Sequence, residues 1–189
     1  MGADAVTRRL FVAIPVPSEP AAAFRSVLQT LADRGTRTVP VERLHLTLVF
    51  MAAVPEPQVE HVVAVVGRAA DATPAFELAT TGIIDRFGAR VAWAGLRGTD
   101  VAAVLADRLR GAVVRCSVDV PDRPFRAHLT LARAGRRRIT PTVVADLSAP
   151  RVQWQVDRLV LIDSVLGRGP AQWRRLADCP LRGSAGAEQ

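Results

Sequence analysis

The four-residue sequence HLTL occurs twice in this chain, at residues 45–48 and 128–131. Strand-like words precede both copies at nearly the same distance, RLFVAIPV from Arg9 and RVAWAGL from Arg90. The matched order indicates a duplicated strand–helix–strand–helix–strand unit, with coincidence between short words as the alternative. The repeat therefore predicts two related halves, each containing one HLTL strand.

Hydrophobic periodicity divides both halves into similar elements. Apolar residues at helical spacing predict a helix over residues 55–70 and another that begins at Thr99, whereas alternation predicts strands around the HLTL words and from Phe76. We expect an α+β fold in which two pseudo-symmetric lobes, with two largely antiparallel sheets and outer helices, surround a central cleft. In this chain of 189 residues, we assign 1–183 to one bilobal domain, with one half of the repeat in each lobe, and 184–189 to a disordered tail.

The HLTL strands are predicted to carry chemistry on one face. Successive side chains of a strand point to opposite faces, so His45 and Thr47 share one face and His128 and Thr130 share the corresponding face of the second strand. The leucines between them point into the core. Each lobe therefore offers an imidazole and a hydroxyl on a rigid strand, as a preorganised site requires.

Two imidazoles across a cleft suit displacement at phosphorus. The ordinary histidine pKa of about 6.5 makes both the proton acceptor and the proton donor available near neutral pH. The threonines can donate to the phosphate oxygens that gain charge in the transition state. A single histidine on a strand usually has no catalytic role, but two of the three histidines here occupy identical words. His61 falls opposite the valine stripe of its helix, so we expect it to be exposed.

Composition limits the partners, cofactors and cellular location that we expect for such a protein. The formal charge is +7 and every cation is arginine, which fits an anionic partner or, equally, a GC-rich coding bias. Cys116 and Cys179 lie far apart and form no zinc or disulfide pattern. No apolar run approaches the roughly 20 residues of a membrane span. We expect a cytoplasmic protein without a metal or other cofactor.

The chain also resembles a known family. The two HxT words, RLFVAI near the start and LVLIDSVLGRGPAQWRRL near the end are similar to the 2H phosphoesterases, in particular the bacterial RNA 2′,3′-cyclic phosphodiesterases, also called 2′-5′ RNA ligases. The resemblance extends over about residues 8–181. It implies the bilobal fold and an enzyme that opens a terminal 2′,3′-cyclic phosphate on RNA to a 2′-phosphate, or joins RNA ends through a 2′-5′ bond in reverse. The implied partners are RNA ends or small cyclic phosphodiester nucleotides, and we expect a monomer.

The resemblance assigns roles to the matched residues. His45 and Thr47 match the first HxT word, and His128 and Thr130 match the second. We take His128 as the base that activates water and His45 as the acid that protonates the leaving 3′ oxygen, although the pseudo-symmetry allows the reverse. No metal ligand is implied.

Two further residues follow the HLTL words at equal distance. Arg133 matches an arginine that would contact phosphate. Phe50 holds the equivalent position in the first word, where it either lies beside the terminal base or packs in the core. Simple alternation puts both on the face opposite the histidines, so either role requires the strand to twist or end. Met51 follows Phe50 where the family often has LG, and Trp173 stands where relatives commonly have tyrosine.

Several alternatives remain open from the sequence. The arginines at 133 and 136–138 form either a solvated loop or a surface that attracts RNA, and Trp93, Trp154 and Trp173 either stack on bases or pack in the core. The same site could act instead on a small cyclic nucleotide, ADP-ribose 1″,2″-cyclic phosphate or a 2′-5′ oligoadenylate. A non-catalytic RNA-binding module is the third possibility, which two complete HxT words argue against.

Overall fold

A computed structural model describes residues 6–135, 137–167 and 171–183, so the tail predicted at 184–189 lies outside the described residues. Over these ranges the strands are β1 (Thr7–Pro15), β2 (Arg37–Thr38), β3 (His45–Pro55), β4 (Phe76–Phe87), β5 (Val91–Arg97), β6 (His128–Arg133), β7 (Gln153–Val156), β8 (Arg158–Val165) and β9 (Gln172–Pro180). The helices are α1 (Ser18–Ala22), α2 (Arg25–Asp33), α3 (Val59–Asp71), α4 (Asp100–Arg115) and α5 (Pro141–Val144).

The core lies between the helices and one face of the sheet. Each long helix turns one apolar stripe inward, because its valines and leucines recur at helical spacing, as with Val62 and Val66 of α3 and Leu105 and Leu109 of α4. These side chains pack with the inward residues of the HLTL strands, including Leu46. The opposite face of the sheet is thereby left for the histidines.

The strands pair antiparallel in one continuous sheet. Along it the strand order is β7-β4-β5-β6-β3-β1-β8-β9, and β2 adds to β6. The two sheets expected from the sequence meet where Leu46 of β3 pairs with Leu129 of β6. The predicted α+β class, antiparallel pairing and outer helices are confirmed.

The strand order also shows an exchange between the halves of the chain. β4 belongs to the first half but pairs with β5 and β7, whereas β8 and β9 belong to the second half but extend the sheet from β1. Each lobe therefore contains one HLTL strand together with strands from the other half: β4 in the lobe of β6, and β8 and β9 in the lobe of β3. The sequence repeat did not predict this exchange, because periodicity identifies a strand without identifying its neighbour.

Candidate active site

His45 and His128 begin the two central strands, on either side of the junction between the lobes. Because Leu46 pairs with Leu129 in an antiparallel register, His45 lies across from Thr130, and Thr47 lies across from His128. The four predicted side chains therefore share the face of the sheet that the helices leave uncovered. Each imidazole therefore lies opposite the threonine of the other strand, and the two pairs are related by the pseudo-two-fold axis.

Both imidazoles are held in the same way. The Nδ1 atom of His45 lies 2.7 Å from the carbonyl oxygen of Arg43, and Nδ1 of His128 lies 2.7 Å from the carbonyl oxygen of Arg126. A carbonyl oxygen only accepts hydrogen bonds, so each Nδ1 carries the proton and donates it. Each Nε2 is then an acceptor in the neutral ring and a donor in the charged ring, which suits proton transfer.

Aromatic side chains surround each imidazole. The His45 ring lies 5.2 Å from Phe11 and 5.1 Å from Trp173, and these two rings meet edge to face at 5.1 Å. On the other side of the junction, the His128 ring lies 4.9 Å from Phe87, which stacks on Trp93 at 5.1 Å. Each histidine thus has one phenylalanine and one tryptophan as close neighbours.

Burial and positive charge both act on the histidines. Burial lowers the pKa of His45, and the charges of Arg133 and His128 lower it further, against the hydrogen bond to the Arg43 carbonyl. Burial also lowers the pKa of His128, to which Arg133 adds in the same direction. Burial and the neighbouring cations therefore favour neutral imidazoles, and a bound phosphate anion would favour their protonation.

A bulge follows each histidine and changes the expected alternation. Leu48 is an extra residue of β3 opposite β1, since Val12 pairs with Val49 and Ala13 with Thr47. Leu131 is the corresponding extra residue of β6 opposite β5. The residue after each bulge is buried as well, so two consecutive side chains enter the core and the alternation reverses.

The reversal brings the next residue of each strand to the histidine face. Phe50 packs against the cluster that contains Phe11 and Ile162, where Trp173 also lies. Arg133 lies close enough to His45 and His128 for its charge to act on both. The expectation from simple alternation, which put Phe50 and Arg133 on the opposite face, is therefore wrong.

The tryptophans and the arginine run divide between core and cleft. Trp154 is only 5% exposed and packs in the core, whereas Trp93 and Trp173 lie beside the histidines. Arg136 lies outside the described residues, and Arg137 and Arg138 are exposed. The tryptophans at the cleft therefore belong to the histidine environment.

Sequence reasoning missed several residues of this face, among them Phe11, Arg9, Phe87 and Arg43. The guanidinium carbon of Arg9 lies 4.6 Å from the Phe50 ring centroid, and that of Arg43 lies 5.1 Å from the Trp173 ring centroid. Alternation along β1 could have found Arg9 and Phe11, since both fall on the face opposite the buried Leu10. Nothing in the sequence pairs Arg43 with Trp173, because the contact joins distant segments.

Other features of the described residues bear on the remaining expectations. In the three described ranges no group of three or more His, Cys, Asp or Glu side chains could hold a metal ion. Both cysteines, Cys116 and Cys179, carry free thiols. None of the helices traced in these ranges is long and apolar enough to cross a membrane.

Comparison with known proteins adds to this geometry. Residues 8–168 match a family model described as the 2′-5′ RNA ligase superfamily. The chain is 32% identical over 191 residues to the RNA 2′,3′-cyclic phosphodiesterase of Thermus thermophilus, covering 96% of this chain and 94% of that protein. It is 26% identical over 184 residues to the protein of the same name from Thermotoga maritima, covering 93% of this chain and 96% of that protein. Among solved structures, Escherichia coli LigT complexed with 3′-AMP superposes with a TM-score of 0.76 at 26% identity, covering 93% of this chain and 99% of that chain.

Proposed function

The chain belongs to the 2′-5′ RNA ligase superfamily, as its sequence motifs predicted, and we propose that it is an RNA 2′,3′-cyclic phosphodiesterase. Its substrate is an RNA that ends in a 2′,3′-cyclic phosphate, and its product carries a 2′-phosphate. The observation that carries the proposal is the pair of histidines whose Nδ1 atoms both donate to a backbone carbonyl. This arrangement leaves both Nε2 atoms available for proton transfer on the face that the helices do not cover.

The reaction divides between the two imidazoles. Nε2 of neutral His128 accepts a proton from water as the water oxygen bonds to phosphorus, and Nε2 of protonated His45 donates its proton to the 3′ oxygen as the bond from phosphorus to that oxygen breaks. Thr47, Thr130 and Arg133 donate hydrogen bonds to the non-bridging oxygens, which gain negative charge in the transition state. With the 5′-hydroxyl of a second RNA in place of water, the same groups form a 2′-5′ bond: the base takes the hydroxyl proton, the hydroxyl oxygen bonds to phosphorus, and the 3′ oxygen leaves with the proton of the acid.

Phe50 has a separate role in this proposal. It packs with Phe11 and Trp173 in the aromatic wall beside His45. We assign Phe50 to the terminal base, which can lie against an aromatic ring through stacking. The solved complex of E. coli LigT with 3′-AMP is consistent with nucleotide binding by this fold.

We further propose that residues 1–183 form one bilobal domain that works as a cytoplasmic monomer on RNA ends. The continuous sheet and the exchange of outer strands between the halves support a single domain, since neither half completes its own sheet. Two free thiols support a reducing compartment.

Product analysis tests the proposed reaction. The protein is incubated in EDTA with a short RNA that bears a 2′,3′-cyclic end, and the position of the product phosphate is identified. We expect complete conversion in EDTA, because the acid, the base and the phosphate donors are all side chains. The product should be the 2′-phosphate, because His45 protonates the 3′ oxygen as the leaving group. A 3′-phosphate product, or activity that disappears in EDTA and returns with Zn²⁺ or Mn²⁺, would contradict the two-histidine reaction.

A further inference from the structure

Three arginines converge on the histidine face from three different strands. Arg37 of β2 and Arg133 of β6 are direct cross-strand partners, so their side chains leave the same face of the sheet. Arg9 of β1 reaches over the Phe50 ring on that face. Burial lowers the pKa of Arg133, and the charges of Arg9 and Arg37 lower it further, which is consistent with their proximity. We call these three residues the arginine cluster.

The arginine cluster has no compensating acid. In the part of the chain that the structure describes, no carboxylate lies within ion-pair distance of Arg9, Arg37 or Arg133. Arg8, the neighbour of Arg9, in contrast donates to both Glu56 and Asp163. Like charges directly opposite each other destabilise a sheet, so this pairing costs folding free energy that an anionic ligand would offset.

A single cyclic phosphate does not account for all three cations. The phosphodiester carries one negative charge, and Arg133, Thr47, Thr130 and a protonated histidine already supply its donors. Arg9 and Arg37 come from separate elements, β1 and β2, and flank Arg133. The excess charge therefore points to a second phosphate on the same substrate.

Building on the proposed function, we propose that Arg9 and Arg37 bind a second phosphate group on the 5′ side of the reacting nucleotide. In an RNA this group is the phosphodiester that joins the terminal nucleotide to the preceding one; in a mononucleotide it is a 5′-phosphate. Recognition of this group makes an RNA end a better substrate than a free nucleoside cyclic phosphate. Arg9 and Arg37 are thus specificity residues that bind substrate away from the reacting phosphorus.

Three substrates with the same terminal base test the proposal. They are a nucleoside 2′,3′-cyclic phosphate, its 5′-phosphorylated form, and a dinucleotide with a 2′,3′-cyclic end. We expect kcat/KM to be about tenfold or more higher for the two substrates that carry a second phosphate, the scale of a charge-assisted contact. A dinucleotide better than the 5′-phosphate assigns the site to the RNA chain, and equal values assign it to any 5′-phosphate. Equal kcat/KM for all three substrates would overturn the proposal.

Matched variants locate the effect. Arg9→Gln and Arg37→Gln should each bring the ratio of kcat/KM between dinucleotide and nucleoside close to one. Arg25→Gln removes the same charge from an exposed position of α2, on the helical side of the sheet, and should keep the wild-type ratio. If Arg9→Gln and Arg37→Gln lower kcat/KM equally for both substrates, or if Arg25→Gln changes the ratio as much, the second phosphate is not bound by these residues.

Binding measurements separate this proposal from the catalytic one. If the wild-type protein hydrolyses none of the three substrates, the proposed function fails, but calorimetry with 2′-phosphorylated products still tests Arg9 and Arg37. A dinucleotide 2′-phosphate should then bind about tenfold more tightly than a nucleoside 2′-phosphate, and each of the two variants should remove the difference. Equal affinities in the wild-type protein would overturn the inference whatever the activity.

Discussion

His45 and His128 share a tautomer but differ in how the neighbouring segment is fixed. The carbonyl of Arg43 accepts the Nδ1 proton of His45, while its guanidinium donates to the Ala171 carbonyl at 3.1 Å and lies over Trp173. Trp173 in turn meets the His45 ring edge-on. Arg43 thus contributes the carbonyl that accepts the Nδ1 proton of His45, and its guanidinium contacts the tryptophan that packs against the His45 ring.

Replacing Arg43 tests the contact between its guanidinium and Trp173. Arg43→Ala should loosen Trp173, hydrate His45 and raise its pKa, since burial is the main cause of the lowered pKa. NMR titration of ¹⁵N-labelled histidine resolves the effect, because the chain has only three histidines. We expect kcat/KM for a cyclic-phosphate RNA end to fall by about tenfold, the scale of a small misplacement of a catalytic group.

Arg126 and a lysine substitution provide the controls. The Arg126 carbonyl binds His128, but no ion pair or ring contact of its exposed side chain occurs among the residues that the structure describes, so Arg126→Ala should leave both histidine titrations unchanged. Arg43→Lys keeps the charge without the planar guanidinium and should raise the His45 pKa partly. An unchanged His45 titration in Arg43→Ala would show that the contact does not position the ring.

Arg133 can be separated from the surface arginines by mutation. Arg133→Ala should lower kcat/KM by about tenfold or more, since hydrogen bonds to charged groups contribute roughly 1.5–3 kcal/mol. Arg137 is exposed beyond the end of β6, so Arg137→Ala should change mainly the salt dependence of RNA binding. Steady-state kinetics at two ionic strengths make the comparison. Small and equal effects of both variants would remove Arg133 from the phosphate site.

At the scale of strands, the paired bulges limit what the sequence could predict. The HLTL pattern correctly predicts that His45 and His128 share a face with their threonines. It cannot reveal that Leu48 and Leu131 are extra residues, because a buried leucine also fits regular alternation. The only indication of a bulge in either word is a pair of consecutive apolar residues, Leu48-Val49 and Leu131-Ala132. Such pairs also occur in strands that are buried on both faces.

A second feature at the scale of strands is the close packing around Gly95, which lies beside His128. Gly95 of β5 is the cross-strand partner of His128, and a Cβ atom there would lie 2.5 Å from the Thr81 hydroxyl oxygen. Gly95→Ala should therefore destabilise the protein by about 1–3 kcal/mol, as overpacking does. Urea denaturation measures the loss.

The double variant tests the cause of this loss. Thr81→Ala removes the clashing oxygen, so Gly95→Ala should cost much less in the Thr81→Ala background. The Thr81 hydroxyl also accepts a hydrogen bond from the Ile83 amide, and Thr81→Ala alone reports the cost of losing it. If Gly95→Ala costs as much in the Thr81→Ala background as in the wild-type protein, the clash is not its cause.

For the whole molecule, the repeat predicts two lobes but does not predict which strands pair in each lobe. Matching words at 45–48 and 128–131 identify the two central strands and the cleft between them. Neither periodicity nor spacing indicates that β4 crosses to one lobe and β8 to the other, because that choice depends on which open edge each strand meets in the folded sheet. The exchange joins the two lobes, and with them the two histidine strands, in one continuous sheet.

The pH dependence belongs to the pair of histidines. Activity should rise and then fall with pH, since one imidazole must be neutral and the other charged, with two apparent pKa values that describe the coupled pair. Burial and Arg133 lower both histidine pKa values. A bound phosphate anion favours the charged rings, so the limbs of the kcat profile should lie at higher pH than those of kcat/KM. Coincident profiles would contradict this electrostatic account.

The most direct test of the account is kcat for a cyclic-phosphate RNA end in the single histidine variants. His45→Ala and His128→Ala should each lower kcat by roughly 10²-fold or more, the scale of lost acid–base catalysis. The double variant should be far less than multiplicatively worse, because the two residues act as a unit. His61→Ala, outside the cleft on α3, should match the wild-type protein. Near-normal kcat in either cleft variant, shown by circular dichroism to be folded, would contradict the two-histidine mechanism.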